Sequence, residues 1–156
     1  MVDGTIQVIV DNLTPTLLKA SFALQTNHKD EHVKKLVQRC NKITHLDLRF
    51  SPITNDSVQS IIQHLNTSLE ELDVNHTEID FDALLQLKSV ATLKRLVCGL
   101  GDESFKNLKL QLPHVRVRII DELLHIAWSK NIVNGSFDRD WIWDIRAKQQ
   151  DLFTKN

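Results

Sequence analysis

Apolar residues recur along this chain in two interleaved patterns. Three segments carry them at the first, fourth and sixth positions: Ile43, Leu46, Leu48; Leu69, Leu72, Val74; and Leu93, Leu96, Cys98. The offsets between segments are 26 and 24 residues, and a degraded copy, Leu17, Ala20, Phe22, stands 26 residues before the first. Each reads as a short strand. Stripes at helical spacing lie between them: Ile6, Ile9, Val10, Leu13, then Val33, Leu36, Val37, Cys40, then Val58, Ile61, Ile62, Leu65. Phe81, Leu84, Leu85 and Phe105, Leu108, Leu112 continue the series, and Val115, Val117 and Ile119 alternate as a last strand.

A strand followed by an amphipathic helix, repeated every 23 to 27 residues, is the signature of a leucine-rich repeat. One such unit cannot bury both its apolar faces, so units must stack. The expected fold class is α/β, a leucine-rich-repeat solenoid (a horseshoe fragment) with parallel concave strands, convex helices and a non-repeat tail. Residues 1–119 form the repeats and 120–156 the C-terminal tail. The first unit is incomplete, since nothing before Gly4 supplies its strand; this points to a fragment, a short isoform or an incomplete gene model. Cys40 and Cys98 fill apolar positions and read as small core residues. The tail loses the period and holds all three tryptophans, Trp128, Trp141 and Trp143. Two readings stay open for it: an extended segment docking Trp143 on the concave strands, or a short helix capping the last repeat.

Composition narrows the function classes. With 19 Lys and Arg against 20 Asp and Glu the net charge is −1, which argues against a nucleic-acid binder relying on bulk positive charge. No apolar run approaches the length of a membrane span, and no secretory signal is visible, so no membrane partner is expected and the cysteines are read as reduced.

The run from Val10 to Leu48, the segments FDALLQLKSVATLKRL (81–96) and LKLQLPHVRVRI (108–119), and IWDIR (142–146) resemble the repeats and tail of F-box/leucine-rich-repeat substrate receptors. The resemblance implies the substrate-recognition part of an SCF-type ubiquitin ligase, acting in ubiquitin-dependent degradation and the cell cycle in the nucleus or cytoplasm. It implies no catalytic residues and no cofactor. The implied partner is a protein substrate, such as a cyclin-dependent kinase inhibitor presented with a small cyclin-kinase-subunit adaptor. Ligase adaptor and cullin would join only through an F-box, which does not precede these repeats; DELLHIAW (121–128) resembles an F-box opening but sits where the family has its tail. An acid and an arginine that help hold the small adaptor correspond to Phe50 and His76, neither of which keeps the charge. The alternative is a leucine-rich-repeat scaffold without a ligase role.

Strand residues alternate, so those between the buried positions face the concave side. The expected partner-binding set is Asp47, Arg49, Phe50, Glu71, Asp73, Asn75, His76 and Arg95, with Trp143 from the tail. Residues 50–87 carry seven acids and no Lys or Arg, whereas 88–118 carry seven Lys or Arg and two acids. Stacked repeats turn that asymmetry into a bipolar surface, either a steering field for a charged partner or a solvated face with chance clustering. HKDEH (28–32) fits the H-x-x-E-H zinc-hydrolase pattern, a remaining alternative. It lacks a third ligand, and Asp30 reads better as the N-cap of the helix that follows.

Overall fold

The computed structural model describes residues 2–23 and 29–119, with side chains from residue 6 onward. In chain order the elements are α1 (Val2–Asn12), β1 (Lys19–Ser21), α2 (Asp30–Arg39), β2 (His45–Asp47), α3 (Asn55–Leu65) and β3 (Glu71–Asp73). Then come α4 (Phe81–Leu85), a 3₁₀ turn (Gln86–Ser89), β4 (Arg95–Val97), α5 (Asp102–Gln111) and β5 (Arg116–Arg118). Among the described residues five strands form one parallel sheet in the order β1-β2-β3-β4-β5. Consecutive helices pack side by side, α1 on α2, α2 on α3, α3 on α4 and α4 on α5. This is an α/β leucine-rich-repeat fold.

Register follows from the repeated apolar positions. Ala20, Leu46, Leu72, Leu96 and Val117 pair in successive strands. From Leu46 to Val117 these middle residues are at most 4% exposed, all turned into the core. The helical stripes meet them: Val33, Leu36, Val37, Cys40, Val58, Ile61, Leu65, Leu84, Leu108 and Leu112 are buried. Burial of such a side chain contributes about 1.5–3 kcal/mol, and only the neighbouring unit supplies the opposing surface.

Polar side chains join the units at intervals of one repeat. Thr44 Oγ1 donates to the Leu18 carbonyl, Ser68 Oγ to Asn41 and Thr92 Oγ1 to Leu69. Asp30 does the same on the helix side, which corrects the expectation that it caps its own helix. Lys29 is the N-cap of α2, and Asp30 instead accepts from the backbone and side chains of Thr54 and Ser57, at the start of α3. Asn55 and Asp80 repeat the device, exchanging two hydrogen bonds of 2.8 and 3.1 Å while Asp80 caps α4 through Ala83 N.

The first unit also departs from expectation. Ile9, part of the expected apolar stripe, is 47% exposed, and Val8 and Leu18 are exposed too. Ile6 and Val10 are buried and Leu13 packs half-buried against the core, on the side of α1 that meets α2. At the other end Val115 and Val117 are buried and Ile119 is 39% exposed.

Candidate functional site

The site grows from a turn that two strands share. Asp47 ends β2 and its Oδ1 accepts from the backbone N–H of Arg49, at 3.3 Å; Asp73 ends β3 and accepts likewise from Asn75, at 3.0 Å. This local bond turns the chain sharply. The next residue in each case, Phe50 and His76, takes a left-handed backbone with φ of 59° and 54°. Such a conformation costs a non-glycine residue on the order of 1–2 kcal/mol, so its double occurrence is held by something. The aromatic rings supply part of that hold, because they stack with centroids 4.6 Å apart. The next unit has Val97 and Gly99 where the aspartate and its partner would be, and the turn is not repeated. A Cβ on Gly99 would lie 2.8 Å from Asn75 Oδ1, so the Asn75 amide occupies the space a side chain would need.

Two rows of polar side chains cross the strands. In the row of third strand positions Ser21, Asp47, Asp73, Val97 and Arg118 align. Arg49 forks onto Asp47, its Nε lying 3.0 and 3.1 Å from the two oxygens, and the same Nε is 3.7 Å from Asp73 Oδ2. Asp47 and Arg49 are 3% exposed and Asp73 is 0%. Asn75 is buried too, and its Nδ2 has no hydrogen-bond partner.

Asp47, Arg49, Asp73 and Asn75, expected as partner-binding residues on the concave face, are thus buried. These charges compensate one another in a buried cluster, where a bidentate guanidinium–carboxylate pair offsets the desolvation that a lone carboxylate would suffer.

The row of first strand positions is more accessible. It aligns Lys19, His45, Glu71, Arg95 and Arg116. Glu71 Oε1 lies 3.7 Å from His45 Nε2 and 3.2 Å from Arg95 Nη1, all three side chains being about one-fifth exposed or less. Burial holds the His45 imidazole below its ordinary pKa, and the attraction of Glu71 recovers part of that. Arg95 and Arg116 sit opposite each other on β4 and β5 with Arg118 two residues on. The Arg118 guanidinium is pushed below its usual pKa by burial and then by Arg116 and Arg95, and its Nε is buried without a hydrogen-bond partner. At this end a cleft of about 540 Å³ opens among Glu71, Lys94, Arg95, Pro113, His114 and Arg116.

Of the expected set, Asp47, Arg49, Phe50, Asp73, Asn75 and His76 thus gather at the carboxyl ends of β2 and β3, whereas Glu71 and Arg95 stand apart in the row of first strand positions. Trp143 lies outside the described residues, as do the tail and its two readings. Sequence reasoning missed the cleft residues Lys94, Pro113 and His114, which belong to the turns before β4 and β5 and carry no periodic signal. It also missed the stacked pair, although D-x-x-F and D-x-x-H at equal places in two repeats were available as a sign.

The zinc reading finds no supporting geometry among the described residues. His28 lies outside the described residues, and His32 Nδ1 accepts from the backbone N–H of Lys29 at 3.1 Å, so that nitrogen is occupied in the start of α2. Among the described residues no group of three or more His, Cys, Asp or Glu is placed to hold a metal ion. Among them too, no helix is long and apolar enough to cross a membrane.

Comparison with known proteins agrees with the fold. The family model described as "Leucine Rich repeat" matches residues 39–61 and 65–81. Among solved structures, the tropomodulin C-terminal domain of Caenorhabditis elegans is similar at 17% identity and a TM-score of 0.56, covering 77% of this chain and 83% of that one. The leiomodin-1 structure titled Actin-Binding Site 2 is similar at 12% identity and a TM-score of 0.58, covering 97% of this chain and 98% of that one. Likeness at such identities is likeness of fold.

Proposed function

We propose that this chain is a non-catalytic protein-interaction scaffold that receives its partner on the accessible first strand row and the adjoining cleft. One observation carries the reading. The apolar strand positions of the repeats from β2 to β4 are consumed by the core, while Glu71, Arg95 and Arg116 stand in register across three neighbouring strands beside a cleft. A rigid parallel sheet presenting polar groups at fixed spacing suits recognition of another polypeptide. Phe50 and His76 add an aromatic rim past the strand ends, and aromatic groups are enriched where interfaces form.

The partner class is open to two nominations. The leiomodin-1 likeness nominates actin. The resemblance of residues 10–48, 81–96 and 108–119 to F-box receptors nominates a ligase substrate, such as a cyclin-dependent kinase inhibitor with its small adaptor. Phe50 and His76 stand where that family uses charge, so a substrate of that kind would need a different contact. The scaffold reading requires neither nomination.

The test is direct binding of the purified chain to actin, in monomer and filament form, and to a kinase inhibitor with its adaptor, followed by capture of partners from an extract. Saturable binding to a defined polypeptide, weakened by Arg95→Ala with the fold intact, is the expected result. Turnover of a substrate by the purified chain, or no saturable protein binding in any arm, would overturn it.

A further inference from the structure

The β1 end of the solenoid is built like an internal junction, but among the described residues no strand flanks β1 on its second side. Leu17, Ala20 and Phe22 hold the apolar positions that around β2, β3 and β4 are at most 2% exposed, yet all three are only half-buried. Ile9 departs furthest. Its counterparts one and two repeats on, Leu36 and Ile61, are fully buried, while Ile9 is exposed. Its direction follows from Gln7, whose side-chain oxygen accepts from Lys35 of α2 at 2.6 Å. Two residues along a helix amount to about 200° of rotation, so Ile9 points away from α2, to the open end. Val8 and Leu18 of the same unit are exposed as well. The backbone is open there too. The Leu18 carbonyl accepts from Thr44 and His45, and Phe22 N donates to the Asp47 carbonyl, all on the β2 side. Alternation turns the N–H and C=O groups of Lys19 and Ser21 the other way, to the edge of the sheet.

We propose that this face is a homodimer interface, on which a second copy of the chain pairs its β1 antiparallel to β1 about a twofold axis at Ala20. Lys19 then exchanges two backbone hydrogen bonds with Ser21 of the second copy, and the twofold repeats them. The axis keeps Ala20 on the core side in both copies and brings the two α1 helices together. Ile9, Leu17 and Phe22 thereby gain the cover that stacking gives the later repeats. Charge favours a second copy in this orientation. Lys19, an exposed cation, comes opposite Ser21 and not opposite a like charge. From Ile6 onward the one charged residue of α1 is Asp11, and Gln7 donates to it at 2.6 Å on the side that meets α2, away from its twin. Stacking the β5 of one copy on the β1 of the next would instead set Arg116 beside Lys19 in the row of first strand positions, and such a contact does not close. The interface is separate from the cleft and the row on β3, β4 and β5 described above, so either can fail without the other.

Sedimentation velocity on the full chain, from about 1 to about 200 μM, spans the affinities expected of so short a paired edge. The weight-average mass should rise from 18.0 kDa to twice that and stop there. Ile9→Lys puts a charge into the face, and Lys19→Pro removes an outward N–H while leaving the bonds to β2. Each should raise the dissociation constant about tenfold or more. Leu110→Lys, on α5 at the other end of the repeats, should leave it unchanged. Ala20→Cys should give a covalent dimer on mild oxidation, because the twofold register brings this position against its twin at a separation a disulfide spans. Melting curves establish that each variant folds; should Lys19→Pro unfold the chain, Ile9→Lys and Ala20→Cys decide. A monomer at every concentration, growth beyond the dimer, association indifferent to Ile9→Lys, or no cross-link in a chain that dimerises would each overturn the proposal. So would capture from an extract of a different polypeptide that Ile9→Lys releases, since the face would then have another occupant.

Discussion

The rings of Phe50 and His76, one repeat apart, lie face to face with centroids 4.6 Å apart and planes 13° from parallel. Both residues hold left-handed backbones, so each turn relies on the other repeat for its shape. A stacked pair contributes about 0.5–1.5 kcal/mol beyond burial. A double-mutant cycle of Phe50→Leu and His76→Asn should return a coupling energy of that order, Asn being chosen because it tolerates the left-handed region. Strictly additive losses in chemical denaturation would mean that the rings are neighbours without interaction.

A second relationship links helices instead of strands. Burial works against ionisation of Asp30, but hydrogen bonds from Ser57 and Thr54 outweigh it and hold the carboxyl below its ordinary value of 3.8. A depressed carboxyl contributes stability that is complete above its unfolded pKa and is lost as pH falls through the lower folded one. Asp30→Ala should therefore cost about 1–2 kcal/mol near neutral pH, as loss of a helix cap does, and the gap from the parent should close in strong acid. Urea melts of both chains across the acid range give the answer; a gap that is constant down to pH 2 would contradict the ionised cap.

How legible was all this in the sequence? Leu46, Leu72 and Leu96 announced their strands because burial imposes the same residue type at the same place in each repeat. Sequence order points Asp30 to its own helix, the nearest candidate, and hides that the following repeat's helix begins beside it. Alternation along a strand places charges in the two rows but does not give their exposure. Asp73 is buried and lies 3.7 Å from Arg49, 24 positions earlier, and a juxtaposition across repeats of that kind leaves no local mark in the sequence. Lys94, Pro113 and His114 precede strands in irregular turns, where no period marks them, so only coordinates assemble the cleft.

His45 offers a check on the first strand row. Its pKa is lowered by burial and partly restored by Glu71. The folded value thus lies below the ordinary 6.5, so this histidine's contribution is complete above 6.5 and declines as pH falls toward the folded value. Glu71→Gln removes the attraction and should move the His45 titration, followed by its ring proton signals, to still lower pH. An upward movement would show that Glu71 does not act on the imidazole.

The two cysteines test how tightly the repeats are closed. Burial, and then the negative charge of Asp73, push the Cys98 thiol up to about 12. Cys40 is raised as well, by burial, with Arg39 pulling the other way, and its Sγ donates to the Thr14 carbonyl at 3.4 Å. Only the thiolate reacts with an alkylating agent, and at pH 8 a thiol of pKa 12 is ionised to roughly one part in ten thousand. Both side chains are also at most 1% exposed, so reagent reaches them only when a repeat opens. Iodoacetamide should leave both unmodified in native buffer and label both in denaturant. With rising urea Cys98 then reports the opening of β4 and Cys40 that of α2, since buried thiols follow local unfolding. Rapid stoichiometric alkylation of Cys98 in the native chain would mean that the β3–β4 junction is not closed over it, and the buried cluster around Asp73 would fall with it.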